Sequence, residues 1–189
     1  MGRVTSLRDY EEWHRHYDDP DSSLTWRLRR VQAHLRDALD RTPGPCRILS
    51  ACAGEGRDVI EVLRDRPDAD RVSAVLVELH PAIAQRARDN AAAAGLAGVE
   101  VRTTDAGRSE AYAGAVPAQI VLLVGIFGNI SDEDLWRLLA FAPQLCAPGT
   151  TLLWSRGLDG SDRNEQVRAR LADAGFFELD YATSGGTRR

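Results

Sequence analysis

The sequence predicts an α/β fold with a doubly wound, mostly parallel sheet and an N-terminal helical cap. After residue 44, short apolar runs of strand length alternate with segments whose apolar residues recur at helical spacing. The first, second and fourth runs are close to continuously apolar, as expected for strands covered by helices on both faces. Before residue 44 the patterns are helical throughout. We therefore expect a cap over residues 1–43 and an α/β domain over residues 44–189, together forming a single structural domain.

The strands and helices of the α/β part are predicted in order along the chain. Pro81 is predicted to start one helix, and Ser131 to cap another whose first turn carries two acids. The expected strands are 46–52, 71–79, 98–104, 118–125, 149–155 and 176–181. The expected helices are 55–66, 82–95, 131–145 and 162–175.

The cap is predicted to contain two helices, separated by the turn sequence DDPDS. The first covers 7–17, and the second covers 23–41 with Ser22 or Ser23 as its N-cap. One stripe of the second helix is apolar and is predicted to dock on the core. Its members are Leu24, Leu28, Val31, Leu35 and Leu39.

Composition limits the function classes. The 189-residue chain has a net charge of −4, which argues against nucleic acid as a partner. All 24 basic residues are arginines, so a lysine Schiff base is excluded. Three cysteines without CxxC spacing predict neither a disulfide scaffold nor a metal site. The N-terminus is charged, and the longest apolar run is shorter than the roughly 20 residues that span a bilayer. We expect a cytoplasmic protein with no membrane association.

The loop after the first predicted strand, ACAGEGRD, is a candidate ligand-binding loop. In doubly wound sheets ligands lie at the carboxyl ends of the strands. Gly54 and Gly56 allow backbone conformations and close approaches that a Cβ forbids, and the following helix directs free N–H groups at the ligand. The alternative is a purely structural turn, which the loop alone makes equally reasonable.

Two acids favour a nucleoside ligand. Glu78 ends the second strand, 22 positions after Gly56, about the spacing at which an acid binds ribose hydroxyls in this fold. Asp105 follows the third strand, where an acid can accept an adenine amino hydrogen. Alternatively, Glu78 is an acid that faces solvent at the end of a strand. Asp105 could instead be the N-cap of a helical segment that begins at Ala106. Together the acids and glycines fit NAD or S-adenosylmethionine.

The sequence matches neither the dinucleotide-binding pattern nor the P-loop pattern. Val59 stands where the G-x-G-x-x-G pattern requires its third glycine, so a dehydrogenase is a distant alternative. No lysine is present to complete a P-loop.

Over residues 45–182 the sequence resembles the class I S-adenosylmethionine-dependent methyltransferases. The stretches ILSACAGEGRD, VLVELHP, VRTTDA, LLVGIFGNI and LCAPGTTLLWSR match that family's motifs in order. A narrower resemblance is to small, mostly uncharacterised actinobacterial methyltransferases. The resemblance implies a transferase whose Rossmann-like domain, residues 44–189, binds S-adenosyl-L-methionine. The implied binding residues are Ser50, Cys52, Ala53, Gly54, Gly56, Glu78, Leu79, Asp105, Ala106 and Gly125.

The sequence departs from the family at two positions of the first motif. Ser50 stands in place of the family's acid and supplies no charge toward the methionine ammonium. Cys52 stands in place of the first glycine, where it either lines the methionine pocket or is a small buried hydrophobe.

No residue is an unambiguous general base, which is needed only if the acceptor must lose a proton. Weak catalytic candidates are His14, His16, Tyr17 and Asn129, and Arg57 or Arg156 could hold an anionic substrate. The fourth-strand sequence GIFGNI differs from the (D/N)PP(Y/F) motif of amino-methyltransferases that act on nucleobases and glutamine.

We therefore expect a methyltransferase acting on a small-molecule acceptor. The alternatives are a protein that binds S-adenosylmethionine or its demethylated product without turnover, as a sensor or partner subunit, and, less favoured, an RNA methyltransferase. The sequence leaves a homodimer open.

Overall fold

The computed structural model describes Asp19 and residues 22–128, 130–157 and 161–184. Within these residues five strands form one sheet, in the order β3-β2-β1-β4-β5, and all neighbouring pairs run parallel. The predicted doubly wound parallel sheet is confirmed. The strands are β1 (Cys46–Ala51), β2 (Val72–Glu78), β3 (Val99–Thr103), β4 (Ala118–Val124) and β5 (Cys146–Ser155). The α-helices are α1 (Ser23–Arg41), α2 (Arg57–Arg64), α3 (Pro81–Ala93), α4 (Asp132–Leu145) and α5 (Arg163–Asp173).

The order of strands reverses beside β1. β1 pairs with β2 on one side and with β4 on the other, so the connections leaving β1 and β4 go to opposite faces of the sheet. A crevice therefore opens at the carboxyl ends of β1 and β4, which is where ligands bind in open α/β sheets.

Successive residues of β1 belong to different halves of the core, because strand side chains alternate between faces. Ile48 is fully buried in a cluster that includes Leu35 of α1 and Leu63 of α2. Leu49 is fully buried in the other cluster, with Leu139 of α4. Both faces of the sheet are thus covered, which explains the continuously apolar strands.

Helix α1 confirms the second predicted helix of the cap. Ser22 is its N-cap and accepts a hydrogen bond from Thr25 N at 3.1 Å. Leu35 and Leu39 are fully buried, and α1 packs against α2 and β5. The first predicted cap helix, 7–17, lies outside the described residues, and the division at residue 43 stays a prediction.

Arg71 anchors the end of α1 to the sheet. Its Nη2 donates to Leu39 O at 2.8 Å, and its Nη1 donates to Thr42 O at 2.7 Å and Gly44 O at 2.8 Å. Its Nε donates to Asp68 Oδ2 at 2.8 Å. Leu39 O also accepts a hydrogen bond from Thr42 N, whereas the carbonyls of Thr42 and Gly44 lie beyond the helix, so this guanidinium adds a charged donor to the chain that leaves α1.

The predicted sixth strand, 176–181, is wrong. The described residues 176–183 run without strand pairing, and Phe177 and Leu179 are 91% and 77% exposed. The alternate side chains are charged and form ion pairs: Glu178 with Arg168 of α5, and Asp180 with Arg30 of α1. Side-chain contacts hold this segment instead of a backbone ladder, so its strand-like alternation misled the prediction. β5 begins at Cys146, three residues earlier than predicted.

Among the described residues, no helix is both long enough and apolar enough to span a membrane.

We expect Arg71→Met to lower the free energy of unfolding by about 2 kcal/mol, because the carbonyls at the end of α1 lose a charged donor. Thermal denaturation should show a melting temperature about 4–8 °C lower. Arg64→Met is the matched control, since Arg64 forms an exposed ion pair with Asp65 and should leave the melting temperature unchanged. Equal melting temperatures for both variants would contradict the anchoring role.

Candidate functional site

A cavity of about 810 Å³, called here the ligand cavity, lies at the carboxyl ends of β1 to β4. Its volume is in the range of small-molecule sites, roughly 300–1,000 Å³. Its wall on the strand side is formed by Cys52, Ala53, Gly54, Glu55, Glu78, Leu79, Asp105, Ala106, Val124 and Gly125. Its helical wall includes Arg27, Leu28 and Val31 of α1, Arg57 and Asp58 of α2, and Asp134, Leu138 and Phe141 of α4.

The turn from β1 to α2 lies tightly against β2. Ala53 N donates to Val77 O at 2.9 Å, and Gly56 N donates to Ala53 O at 2.9 Å. Gly56 caps α2 with φ +74°, and a Cβ there would lie 2.6 Å from Ile60 Cδ1 and 2.9 Å from Leu76 Cδ1. Gly56 is therefore required by backbone conformation and packing, and it lies behind the wall of the cavity.

Glu78 links the end of β2 to the β1–α2 turn. Its Oε2 accepts a hydrogen bond from Gly54 N at 2.9 Å, and its Oε1 accepts one from His80 N at 2.9 Å. The two bonds fix the carboxylate at the wall of the ligand cavity. Each carboxylate oxygen has a second lone pair, so the fixed group can still accept hydrogens from a vicinal diol.

A second part of the strand-side wall combines an apolar surface with an acid. Leu79 follows Glu78, is 65% exposed, and lines the ligand cavity. Asp105 Oδ1 accepts a hydrogen bond from Gly107 N at 2.8 Å, so this acid shapes the turn after β3. The Tyr112 hydroxyl donates to Ala106 O, and burial raises the pKa of Tyr112. These contacts suit a planar heterocycle with an edge amino group.

Cys52 is held in a conformation that favours glycine, with φ +56°. Burial, together with the negative charges of Glu78 and Asp105, raises the pKa of the Cys52 thiol to about 12. The thiol stays protonated near neutrality and forms an uncharged part of the wall. It is not an activated nucleophile.

Arg27 of α1 reaches over the end of β4. Gly125 has φ +83°, and its N–H donates to Ser155 Oγ at 3.1 Å. An Arg27 Nη1 atom lies 3.7 Å from the position that a Cβ of Gly125 would occupy. Arg27 is therefore close to the backbone that turns away from the sheet at the reversal of strand order.

Asp58 is a buried acid in the first turn of α2. Its residue is 8% exposed, and its Oδ1 accepts a hydrogen bond from Val59 N at 3.1 Å. Burial raises the pKa of Asp58 to about 6, while the nearby Arg27 guanidinium acts in the opposite direction. An acid kept in a setting that opposes its own ionisation is a functional-site candidate.

The structure brings most of the predicted binding residues together. Eight of the ten line the ligand cavity, and the other two are Ser50 and Gly56. Ser50 is 1% exposed and lies in the sheet between Leu76 and Leu122. The catalytic candidates His14, His16, Tyr17 and Asn129 lie outside the described residues.

The two arginine candidates occupy different cavities. Arg57 lines the ligand cavity and pairs with Glu55 at 3.0 Å. Arg156 lines a separate cavity of about 240 Å³ between α1, β5 and the C-terminal segment.

Sequence reasoning missed Arg27 and Asp58. Arg27 carried a signal, because it lies three residues after Leu24 and four before Val31, on the apolar stripe of α1. No sequence signal pointed to Asp58, because acids are common in the first turn of a helix.

Comparisons with known proteins identify the fold. No protein-family model matches the sequence, and no curated protein matches it. Many solved structures match, among them a TehB-like SAM-dependent methyltransferase from Corynebacterium glutamicum, with a TM-score of 0.63, 14% identity, and coverage of 88% of this chain and 81% of that one. The fold is that of the class I methyltransferases.

Two further matches differ in what they do. A SAM-dependent methyltransferase from Thiobacillus denitrificans, solved with S-adenosyl-L-homocysteine, has a TM-score of 0.53 and 20% identity, covering 86% of this chain and 62% of that one. The [4+2]-cyclase SpnF has a TM-score of 0.57 and 21% identity, covering 78% of this chain and 58% of that one. The chain spans less than two thirds of both proteins. At these identities the likeness establishes the fold, and the function must be argued from the site.

We expect the Cys52 backbone to limit which residues the position tolerates. Left-handed backbone costs a non-glycine residue about 1–2 kcal/mol, most severely when it is β-branched. Cys52→Gly should unfold at or slightly above the wild-type temperature, because relief of strain offsets the entropy gained by the unfolded chain. Cys52→Val should unfold several degrees lower. Equal thermal stability of the two variants would contradict the strained conformation.

We expect Asp58→Asn to stabilise the folded protein at neutral pH. The folded pKa of Asp58 lies above its ordinary value of 3.8, so its contribution to stability falls as pH rises from about 4 to 6 and stays low above that. The variant should gain on the order of 2 kcal/mol at pH 7.5 and little at pH 4. Denaturant unfolding at both pH values checks this, and a gain that does not change with pH would refute it.

Proposed function

We propose that the protein binds S-adenosyl-L-methionine in the ligand cavity and transfers its methyl group to a small-molecule acceptor. The observation that carries the proposal is the Glu78 carboxylate, which Gly54 and His80 fix at the cavity wall with acceptor capacity remaining. Such a carboxylate fits the vicinal hydroxyls of a ribose. The position at the end of β2, next to the reversal of strand order, is where this fold binds nucleosides.

The neighbouring residues fit the rest of an adenosyl group. The exposed side chain of Leu79 and the backbone around Ala106 offer apolar surface to a purine. Asp105 stands at the same edge, with a carboxylate that can accept an amino hydrogen. Tyr112 supports this wall from behind through its bond to Ala106 O.

Alignment is the main contribution required of the protein. The cofactor, when bound, supplies a methyl group already activated on a sulfonium, and fixing two reactants in attack geometry is worth about 7–11 kcal/mol. Leu28, Leu138 and Phe141 line the cavity from α1 and α4 and add apolar surface to its helical wall.

A small acceptor is favoured over RNA. The site is a cavity between helices, and the chain carries a net charge of −4, which would repel a phosphate backbone. The proposal includes a cytoplasmic location, supported by three free cysteines, Cys46, Cys52 and Cys146.

Calorimetric titration with S-adenosylmethionine, S-adenosylhomocysteine and NAD tests the cofactor. We expect micromolar binding of the first two and none of NAD. Conversion of S-adenosylmethionine to S-adenosylhomocysteine in the presence of a panel of small nucleophiles then tests the reaction. Binding without turnover of any acceptor would support the sensor alternative, and a product that retains every methyl group would support a reaction of the cyclase kind.

We expect Glu78→Gln to weaken binding of S-adenosylhomocysteine by about 10- to 100-fold, since the charged acceptor of the ribose hydroxyls is lost. Calorimetry measures the affinity, and circular dichroism confirms that the variant is folded. Glu100→Gln is the control, because Glu100 is an exposed acid on β3, paired with Arg102 and outside the cavity. Unchanged affinity of folded Glu78→Gln would rule out this placement of the ribose.

A further inference from the structure

We propose that a second cavity of this protein is a binding site for a small aromatic carboxylate. The second cavity is the one of about 240 Å³ between α1, β5 and residues 180–184. Basic and aromatic side chains meet there, in a chain whose net charge is −4. The inference goes beyond the proposed function and does not depend on the cofactor.

The charges that line the second cavity are mostly positive. The basic members are Arg27, Arg30, His34 and Arg156, and Asp180 is the one acid among the described lining residues. Asp180 Oδ2 accepts a hydrogen bond from Arg30 Nη2 at 2.5 Å, and His34 Nε2 lies 3.1 Å from the same oxygen. The acid is thus matched within the wall, and Arg27 and Arg156 add positive charge that favours an anionic ligand.

Arg156 follows β5, and two of its hydrogen bonds end on neutral oxygens. Its Nη1 donates to Gly157 O at 3.3 Å and to Asn164 Oδ1 at 3.5 Å. Both distances are longer than those of ordinary N–H···O bonds, about 2.7–3.2 Å, and than those of guanidinium–carboxylate bonds, about 2.7–2.9 Å. A carboxylate in the second cavity would therefore be a stronger partner for Arg156, which can bind it through two parallel hydrogen bonds.

Aromatic and aliphatic side chains supply the remaining surface of the second cavity. The rings of Trp154 and Tyr181 lie with their centroids 6.1 Å apart. The guanidinium of Arg168, which does not line the cavity, lies 4.5 Å from the centroid of the Tyr181 ring and holds that ring in place. Trp26 of α1 and Leu153 of β5 also line the cavity. Such surfaces suit the planar apolar body of an aromatic ligand.

The volume of the second cavity limits the size of the ligand. It is smaller than the roughly 300–1,000 Å³ typical of sites for drug-sized molecules. A carboxylate on one or two rings therefore fits better than a nucleoside with an amino-acid chain.

Helix α1 forms a wall shared by the two cavities. Arg27 and Val31 line both, and they lie four residues apart on one face of the helix. Because Val31 is 7% exposed, little of its side chain separates from the core on either side. We therefore expect that a ligand in the ligand cavity and a carboxylate in the second cavity can be bound at the same time.

The test is calorimetry on the full chain without cofactor, using four probes that separate the charge from the ring. The probes are indole-3-carboxylate, indole-3-carboxamide, indole and acetate. We expect indole-3-carboxylate to bind about 10-fold more tightly than any of the other three, because it alone combines the charge with the ring. Equal affinities for the carboxylate and the carboxamide would overturn the proposal.

The indole N–H signals of the tryptophans in a ¹H–¹⁵N NMR spectrum locate the bound probe. Trp26 and Trp154 line the second cavity, whereas Trp136 lines neither cavity and has its ring beneath Arg170. We expect indole-3-carboxylate to shift the signals of Trp26 and Trp154 and to leave that of Trp136 unchanged. A titration in which neither Trp26 nor Trp154 shifts would place the ligand elsewhere and overturn the site.

Variants of Arg156 test the contact with the carboxylate. Arg156→Gln should weaken binding of indole-3-carboxylate by about 10-fold and leave the affinity for indole unchanged. Arg156→Lys should restore part of the affinity, because it keeps the charge but not the paired donors. The control is Arg29→Gln, since Arg29 is exposed on α1 and lines neither cavity. Equal effects of Arg156→Gln and Arg29→Gln would show a dependence on net charge alone and contradict the site.

A competition experiment separates this site from the proposed function. Saturating S-adenosylhomocysteine should leave the shifts of Trp26 and Trp154 intact, because the nucleoside occupies the ligand cavity. Loss of these shifts would place the carboxylate in the ligand cavity and overturn the second site. If S-adenosylhomocysteine does not bind, the proposed function fails, while the four probes and the Arg156 variants still decide the second site.

Discussion

The close contact between the β1–α2 turn and β2 is the constraint on which the site depends. There is no room for a Cβ at Gly56, because the side chains of Ile60 and Leu76 fill the space. This contact brings Gly54 N within hydrogen-bonding distance of the Glu78 carboxylate and starts α2 with its first turn at the cavity. Gly56 therefore lies in the tight turn that connects the acid at the end of β2 with the first turn of α2, where Asp58 is buried.

Helix α1 contributes both to the core and to the wall of the ligand cavity. Its buried leucines share a core with the sheet, and Arg71 ties its last turn to the segment before β2. The same helix presents Arg27 to the ligand cavity. Because its packing is fixed, Arg27 is held by a rigid element, which favours precise recognition over a mobile closure.

The sequence predicted the fold well because its signals are local and repeated. Strand-length apolar runs, the Ser131 cap and Pro81 each mark an element that the structure contains. The wrong sixth strand shows the limit of such signals, since alternation at 176–181 cannot reveal whether a partner strand is present. Ion pairs with Arg168 and Arg30 hold this segment, and the positions of these residues in the sequence do not predict the pairs.

The strand-side wall of the ligand cavity could be predicted from the order of the strands. The helical wall could not. Residues after parallel strands meet at one edge of the sheet, so Gly54, Glu78 and Asp105 converge wherever the sheet forms. Arg27 and Asp58 line the same cavity because α1 packs against α2, and no spacing in the chain encodes that packing.

A buried acid that lowers stability at neutral pH needs a compensating role. Burial opposes the ionisation of Asp58, and an amide of the same shape would avoid that cost. Functional sites are where local rules of stability are commonly broken.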